Sequence, residues 1–249
     1  MNPPIVLITG GSRGIGAATA WLAAQRGFAV AINYARQADA ARQLVQRIEA
    51  EGGRAMAVQA DVGEEAQVLR MFAEVDAKLG RLSVLVNNAG IVDMKARLDE
   101  MSVERLERMM RINVVGAFVC AREAVRRMST RHGGSGGVIV NLSSAAARIG
   151  SPDQYIDYAA SKGAIDTLTV GLAKEVAEEG IRVNGVRPGL IDTEIHASGG
   201  DADRAFQLAH TVPMKRTGTA QEIANAIVWL MSDEASYVTG TTIDVTGGR

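Results

Sequence analysis

A short apolar run, Ile5–Thr9, meets a glycine-rich turn, T-G-G-S-R-G-I-G at residues 9–16, and the chain then takes up helical spacing with apolar residues at Ile15, Ala18 and Leu22. A strand that breaks on glycines and re-enters as a helix commits the chain to a parallel arrangement. The helix must carry the backbone back across the sheet before the next strand can start. The alternation continues to the end. Strands are predicted at Phe28–Asn33, Ala55–Ala60, Leu82–Val86, Val138–Leu142, Arg182–Val186 and Thr241–Val245. Between them lie helical stretches at Asp39–Ala50, Glu64–Lys78, Ser102–Ile112, Val114–Arg127, Tyr158–Glu178 and Ala220–Met231. This pattern predicts an α/β chain forming a single doubly wound domain over residues 1–249, with seven parallel strands and helices on both faces. The low-complexity piece Gly133–Gly137 joins a helix to a strand. It therefore belongs at the amino-terminal end of the sheet, away from the end where ligands bind.

Composition narrows the function classes. At 249 residues, 47% of them hydrophobic, the chain can bury one large core. A net charge of −1 gives no global reason for a nucleic-acid or anionic-membrane partner. No basic-then-apolar leader and no long apolar run is present, so a cytoplasmic location without membrane insertion is expected. Cys120 is the single cysteine and falls in an apolar helical stretch, which suits a buried structural thiol. No His/Cys/Asp cluster has ligand spacing, so no metal is expected.

The glycine turn has the context of a dinucleotide site. Gly10 permits a tight turn, while Gly14 and Gly16 let backbone approach a phosphate and a helix pack closely on the sheet. Ser12, Arg13 and Ile15 lie in the same turn and are expected to line the cofactor. The turn lacks the G-K-[S/T] ending of a triphosphatase loop, which disfavours phosphoryl transfer. A carboxylate ending the second strand would select NADH by binding the adenosine ribose. That strand ends instead at Asn33, Tyr34, Ala35 and Arg36. Arg36 with Arg13 would clamp a 2′-phosphate, so NADP(H) is expected over NAD(H).

Further along, Tyr158 and Lys162 stand four residues apart in Y-A-A-S-K, downstream of Ser144. On a helix this spacing shares a face. A phenol with an ordinary pKa of about 10 is a poor acid or base, and a nearby ammonium can lower it by about 1–3 units.

Taken in order, the glycine turn from Thr9, Asp61–Val62, Asn87–Gly90, Asn113, Ser144, Tyr158 with Lys162, and Pro188–Gly189 followed by Thr193 closely resemble the short-chain dehydrogenase/reductase family over essentially the whole chain. The resemblance implies a Rossmann-type fold and hydride transfer between a nicotinamide and a carbonyl or alcohol. It implies that Asp61 and Val62 border the adenine and that Asn88, Ala89 and Gly90 brace the inner face of the cofactor. Pro188, Gly189, Ile191 and Thr193 belong to the cofactor segment, with Thr193 on the nicotinamide carboxamide. It implies Tyr158 as proton donor, Ser144 on the carbonyl oxygen, Lys162 tuning Tyr158 and holding the ribose, and Asn113 supporting a relay water. Ser143 competes with Ser144, and Tyr155 is a second phenol without a lysine four residues on. The serine–tyrosine spacing is one residue longer than in many relatives, which places an insertion in Ser151–Asp157.

Among relatives the chain looks most like the 3-oxoacyl-carrier-protein reductases and similar sugar and alcohol dehydrogenases. The substrate expected is a small or acyl-thioester carbonyl compound. Ser151, Asp153 and Gln154 would also suit a polyol, and a non-catalytic NADPH sensor or scaffold is the alternative of another class. Arg131 and Lys174 match positions that meet acidic carrier proteins, and they fit ion pairs with Glu178 and Glu179 as well. The long segment 189–212 reads as a substrate lid carrying His196. A homotetramer is implied by the family, with the helices at Val114–Val125 and Ala164–Val176 suited to its two-fold contacts.

Overall fold

The computed structural model describes residues 3–194, 199–201 and 203–249. Seven parallel strands form the main sheet: β1 (Ile5–Ile8), β2 (Ala29–Tyr34), β3 (Arg54–Gln59), β4 (Val84–Asn87), β5 (Gly137–Leu142), β6 (Ile181–Pro188) and β9 (Thr242–Val245). Their order is β3-β2-β1-β4-β5-β6-β9, so the chain winds one way from β1 to β3 and then the other way from β4 onward. The reversal opens a crevice at the carboxyl ends of β1 and β4, where such sheets bind ligands. A minor pair, β7 (Ile191–Asp192) with β8 (Gly218–Thr219), lies outside the main sheet.

Strand alternation sorts the core into two layers. Ile5 and Leu7 of β1 face a layer shared with Val68, Met71, Phe72 and Val75 of α3 (Glu65–Lys78) and Cys120, Ala121 and Ala124 of α5 (Gly116–Met128). Val6 and Ile8 face the other layer. It is built with α1 (Gly14–Gln25), α2 (Ala38–Ala50) and, through Ile223, Ile227 and Val228, the long helix at Ala220–Met231. Each fully buried Leu, Ile or Val contributes about 1.5–3 kcal/mol, and these layers hold the strand ends in register.

The two helices predicted on either side of Asn113 are one continuous helical column. α4 (Val103–Met110) passes into a π-helical turn, Arg111–Val115, and on into α5. Helix α6 (Ala146–Ile149) precedes α7 (Ile156–Val176), which starts two residues before the predicted Tyr158. The short α8 (Arg204–Gln207) and α9 (Ala220–Met231) are the remaining α-helices among the described residues. Gly133–Gly137 leads into the first residue of β5, at the amino-terminal end of the sheet as predicted. No helix among the described residues is long and apolar enough to cross a membrane.

Candidate active site

The glycine turn is held from both sides by asparagines. Asn33, fully buried at the end of β2, accepts from the Gly10 N–H at 3.1 Å and donates to the Ala60 carbonyl at 3.0 Å. Asn88, just past β4, donates to the Thr9 and Gly10 carbonyls at 2.8 and 2.9 Å. The Thr9 hydroxyl accepts from the N–H groups of Asn88 and Ala89, both at 3.0 Å. Gly10 and Gly14 take left-handed backbone angles, with φ of 61° and 53°. A Cβ on Gly16 would sit 2.5 Å from the Gly10 carbonyl oxygen, so only glycine lets α1 approach this closely. No side chain caps the first turn of α1, and no acidic residue lies in it. Its first N–H groups and positive dipole end are therefore left without a side-chain cap among the described residues, a cradle that fits a pyrophosphate. No group of three or more His, Cys, Asp or Glu able to hold a metal ion occurs among the described residues.

Arg13 and Arg36 are exposed beside this cradle, and neither takes part in an ion pair among the described residues. Tyr34 ends β2 half-buried. Asp61 caps its own loop, accepting from the Gly63 N–H at 2.9 Å. Val62 is buried in the core, and its backbone packs on Gly116 of α5.

The catalytic candidates meet at the carboxyl end of β5. Tyr158 and Lys162 lie on the first turns of α7, with the Lys162 Nζ 5.6 Å from the centre of the Tyr158 ring. The lysine donates to the Leu142 carbonyl at 2.7 Å. The structure divides the adjacent serines. The buried Ser143 hydroxyl donates to the Lys162 carbonyl at 3.2 Å, whereas the Ser144 hydroxyl accepts from the Ala146 N–H at 3.1 Å and is near enough to Tyr158 to act on its phenol. The expected lowering of the phenol by Lys162 is not met. Burial raises the Tyr158 pKa, and the opposing influence is Ser144. The same burial takes Lys162 down to about 8, because a low-dielectric site disfavours the charged form of each.

Asn113 occupies the π turn, 1% exposed, and its carboxamide bridges the Ile91 backbone. Oδ1 accepts from the Ile91 N–H at 2.8 Å and Nδ2 donates to the Ile91 carbonyl at 2.9 Å. It also reaches the Ser161 hydroxyl at 3.2 Å. Oδ1 and the Lys162 Nζ would each lie 3.5 Å from a Cβ on Gly90, so both close over the same glycine. A single π turn re-aims one side chain without ending a helix, and here it brings Asn113 under the cleft.

Ile15, Asn88, Gly90, Pro188, Gly189, Ile191 and Thr193 line the same cavity as Ser144, Tyr158 and Lys162. Tyr155 also lines it, but its hydroxyl donates to the Gly199 carbonyl at 3.4 Å and burial raises its pKa. The loop before α7 carries left-handed residues at Ser151 and Asp153, with φ of 48° and 58°. It is the expected site of the insertion. Asp153 pairs outward with Arg97, which leaves Ser151 on the cavity. His196 and part of the 189–212 segment lie outside the described residues. Arg131 precedes β5 and Lys174 lies near the end of α7, both toward the amino-terminal end of the sheet and away from this cleft; Arg131 approaches Glu179 at 3.9 Å.

Sequence reasoning missed the support beneath Tyr158. The Asp157 side chain, with no exposed surface, accepts from the Tyr158 N–H at 2.9 Å and from Arg105 at 2.8 and 3.3 Å. Arg105 also donates to the Met94 carbonyl at 2.7 Å. An acidic residue in the first turn of α7 was the available signal; its partner, 52 residues earlier, left none. Arg204 and Arg249, which border the cavity, were missed as well.

A family model described as enoyl-(acyl carrier protein) reductase matches residues 10–249. The uncharacterized oxidoreductase YgfF of Escherichia coli (strain K12) is 55% identical over 98% of this chain and 99% of its own length. The 3-oxoacyl-[acyl-carrier-protein] reductase FabG of Staphylococcus epidermidis is 38% identical over 97% of each chain. A short chain dehydrogenase from Burkholderia cenocepacia J2315, solved in complex with NADP, superposes with a TM-score of 0.90 at 34% identity, covering 99% of this chain and 98% of that one. With the glycine cradle and the Ser144–Tyr158–Lys162 cluster in one crevice, the chain belongs to the short-chain dehydrogenase/reductase family of nicotinamide-dependent oxidoreductases.

Proposed function

We propose that the protein reduces a ketone or aldehyde carbonyl, of a small or 3-oxoacyl-thioester-like compound, with NADPH as the preferred cofactor. The observation that carries this reading is that Ser144, Tyr158 and Lys162 line one cavity together with Ile15 from the uncapped first turn of α1. When bound, NADPH supplies the hydride. Tyr158 gives its proton to the carbonyl oxygen as general acid, and its raised pKa keeps that proton in place through the neutral range. Ser144 donates to the same oxygen as negative charge develops there. Lys162 holds the nicotinamide ribose, and Asn113 supports the water that returns a proton to the lysine. Arg36 and Arg13 hold the 2′-phosphate, in keeping with the NADP-bound Burkholderia cenocepacia relative.

Val115, Phe118 and Val170 are exposed apolar residues on the helical column and α7, which supports a homotetramer formed through these helices. An NADPH-absorbance screen over acetoacetyl thioesters, diketones, aldehydes and sugars tests the reaction class. Oxidation of NADPH by at least one carbonyl is expected, and a wholly silent panel with folded protein would sink the proposal. For the cofactor, Arg36→Asp is expected to cut the ratio of kcat/KM for NADPH over NADH by about tenfold or more, the loss of one charge-assisted contact. An unchanged ratio would remove Arg36 from the cofactor site.

A further inference from the structure

We propose that the physiological substrate is an oxo acid, a carbonyl compound that also carries a carboxylate, with the carboxylate held by Arg204 and Arg249, which line the same cavity as Ser144, Tyr158 and Lys162. The inference rests on the carbonyl-reductase reading and adds the substrate's charge to it.

The charged side chains lining the cavity, among the described residues, are Lys162, Arg204 and Arg249; Asp166 acts on Lys162 from outside the lining, and no Asp or Glu lines the cavity beside the two arginines. Basic residues of the segment before and within α4, by contrast, are matched by acids: Lys95 by Asp201, Arg97 by Asp153, Arg105 by Asp157 and Arg108 by Asp93. Arg204 and Arg249 take part in no ion pair among the described residues. Arg204 is nonetheless fixed in place. It donates to the Gln154 side chain at 2.8 Å and lies over the Tyr155 ring at 5.3 Å from its centre. Its Nε is buried and has no hydrogen-bond partner among the described residues.

A guanidinium held by stacking and by one amide, with a buried N–H left unanswered, is a fork waiting for two oxygens. An unsatisfied buried donor is costly, and so is the approach of a second guanidinium. Burial and the neighbouring Arg204 both lower the Arg249 pKa, so the two cations are close enough to repel. A carboxylate between them relieves both penalties. Ile149 and Leu190 also line the cavity and suit the carbon chain between the two polar ends of such a substrate.

The test uses matched pairs at saturating NADPH: 2-, 3-, 4- and 5-oxo acids of one chain length against their methyl esters, with dihydroxyacetone phosphate against dihydroxyacetone as the phosphate arm. In the wild type, kcat/KM for at least one acid is expected to exceed that for its ester by about tenfold or more, the range of a charge-assisted hydrogen bond. Arg204→Met should bring that ratio close to one, Arg249→Met should lower it partway, and Arg204→Lys should restore part of it. Should Arg204→Met fail to fold, Arg204→Gln and Arg249→Met carry the same comparison. Calorimetric titration of the matching hydroxy acid and hydroxy ester into NADP+-loaded protein reads selectivity without turnover. Selective binding of the acid with no carbonyl reduced would overturn the reductase reading and keep this one. Reduction of esters and acids alike, or an Arg204→Met variant that loses both equally, would overturn the carboxylate assignment. So would a preference for the phosphate pair alone.

Discussion

Around β1 the cleft is shaped by main chain. Gly10, Gly14 and Gly16 set its form, asparagine side chains pin their carbonyls and N–H groups, and the first turn of α1 is left without a capping side chain. Around β5 and β6 it is shaped by side chains: Ser144, Tyr158, Lys162, Asn113 and two arginines drawn from five separate elements or loops. The contrast with α9, on the same face as α1, shows that the open end is a choice. α9 is as long as α1, yet its start is closed by a Thr219–Glu222 capping box. A surface built of amides serves a ligand part common to every turnover, the pyrophosphate. A surface built of side chains can do proton chemistry and can tell one substrate from another.

The sharpest way to separate the halves is Tyr158→Phe. It removes one hydroxyl from the side-chain half and leaves the amide half intact, so turnover should fall by about 10²–10⁴, the range of a lost general acid. NADPH binding, followed by cofactor fluorescence, should stay within about twofold. Residual turnover within tenfold of the wild type would take the proton-donor role from Tyr158. Next in size is Arg105→Met, which leaves the fully buried Asp157 without its cation under the start of α7. Breaking such a pair costs roughly 3–5 kcal/mol, read from urea unfolding, and adding Asp157→Asn should recover part of the loss. A cost below about 1 kcal/mol would make the pair incidental to the placement of Tyr158.

In the amide half the corresponding break is Gly16→Ala. The new methyl would meet the Gly10 oxygen at 2.5 Å and the Asn88 Nδ2 at 2.6 Å, forcing the turn open. NADPH affinity should fall by about tenfold or more, since the cost of a close clash is of order 1–3 kcal/mol. Gly163→Ala on α7 is the control. Among the described residues nothing lies within 4 Å of its added methyl, so the variant should be neutral or more stable by up to about 1 kcal/mol. Equal effects at the two glycines would undo the claim that the turn's geometry, and not glycine as such, makes the cofactor half.

These differences also explain what was legible in the sequence. Strand β1, the glycine turn and α1 are local, so spacing alone placed them within a residue. The seven-stranded parallel sheet followed from alternation, because a parallel crossover needs a helix. Tyr158 and Lys162 were readable as an i,i+4 pair, but the state of their protons was not. Spacing says that the groups are near and says nothing of the burial that pushes one pKa up and the other down. Asn113 was readable as a position where one helix gives way to another. The π turn that keeps the column continuous depends on the Ile91 backbone lying opposite. Asn33 looked like a strand end and proved to hold the glycine turn, β2 and β3 together. Arg105 with Asp157, and Arg204 with Arg249, join residues far apart in the chain, and no local pattern carries such a pairing.

The smallest effect lies where the two halves touch, at Lys162. Burial brings its ammonium from an ordinary 10.5 to about 8, against the pull of Asp166. In the folded protein the charge is lost as pH rises through about 8, while the unfolded chain keeps it to about 10.5. Between those values the unfolded state binds more protons, so this residue's contribution to stability rises with pH across that window. Cofactor capture that needs the ammonium changes the opposite way. The kcat/KM for NADPH, which reports the protein before cofactor binds, should drop about tenfold per pH unit above 8. Lys162→Met should lower it at every pH and erase that limb, because the group that titrates is gone. A limb that persists unchanged in Lys162→Met would belong to another group and would leave the lysine a purely structural tie to the Leu142 carbonyl.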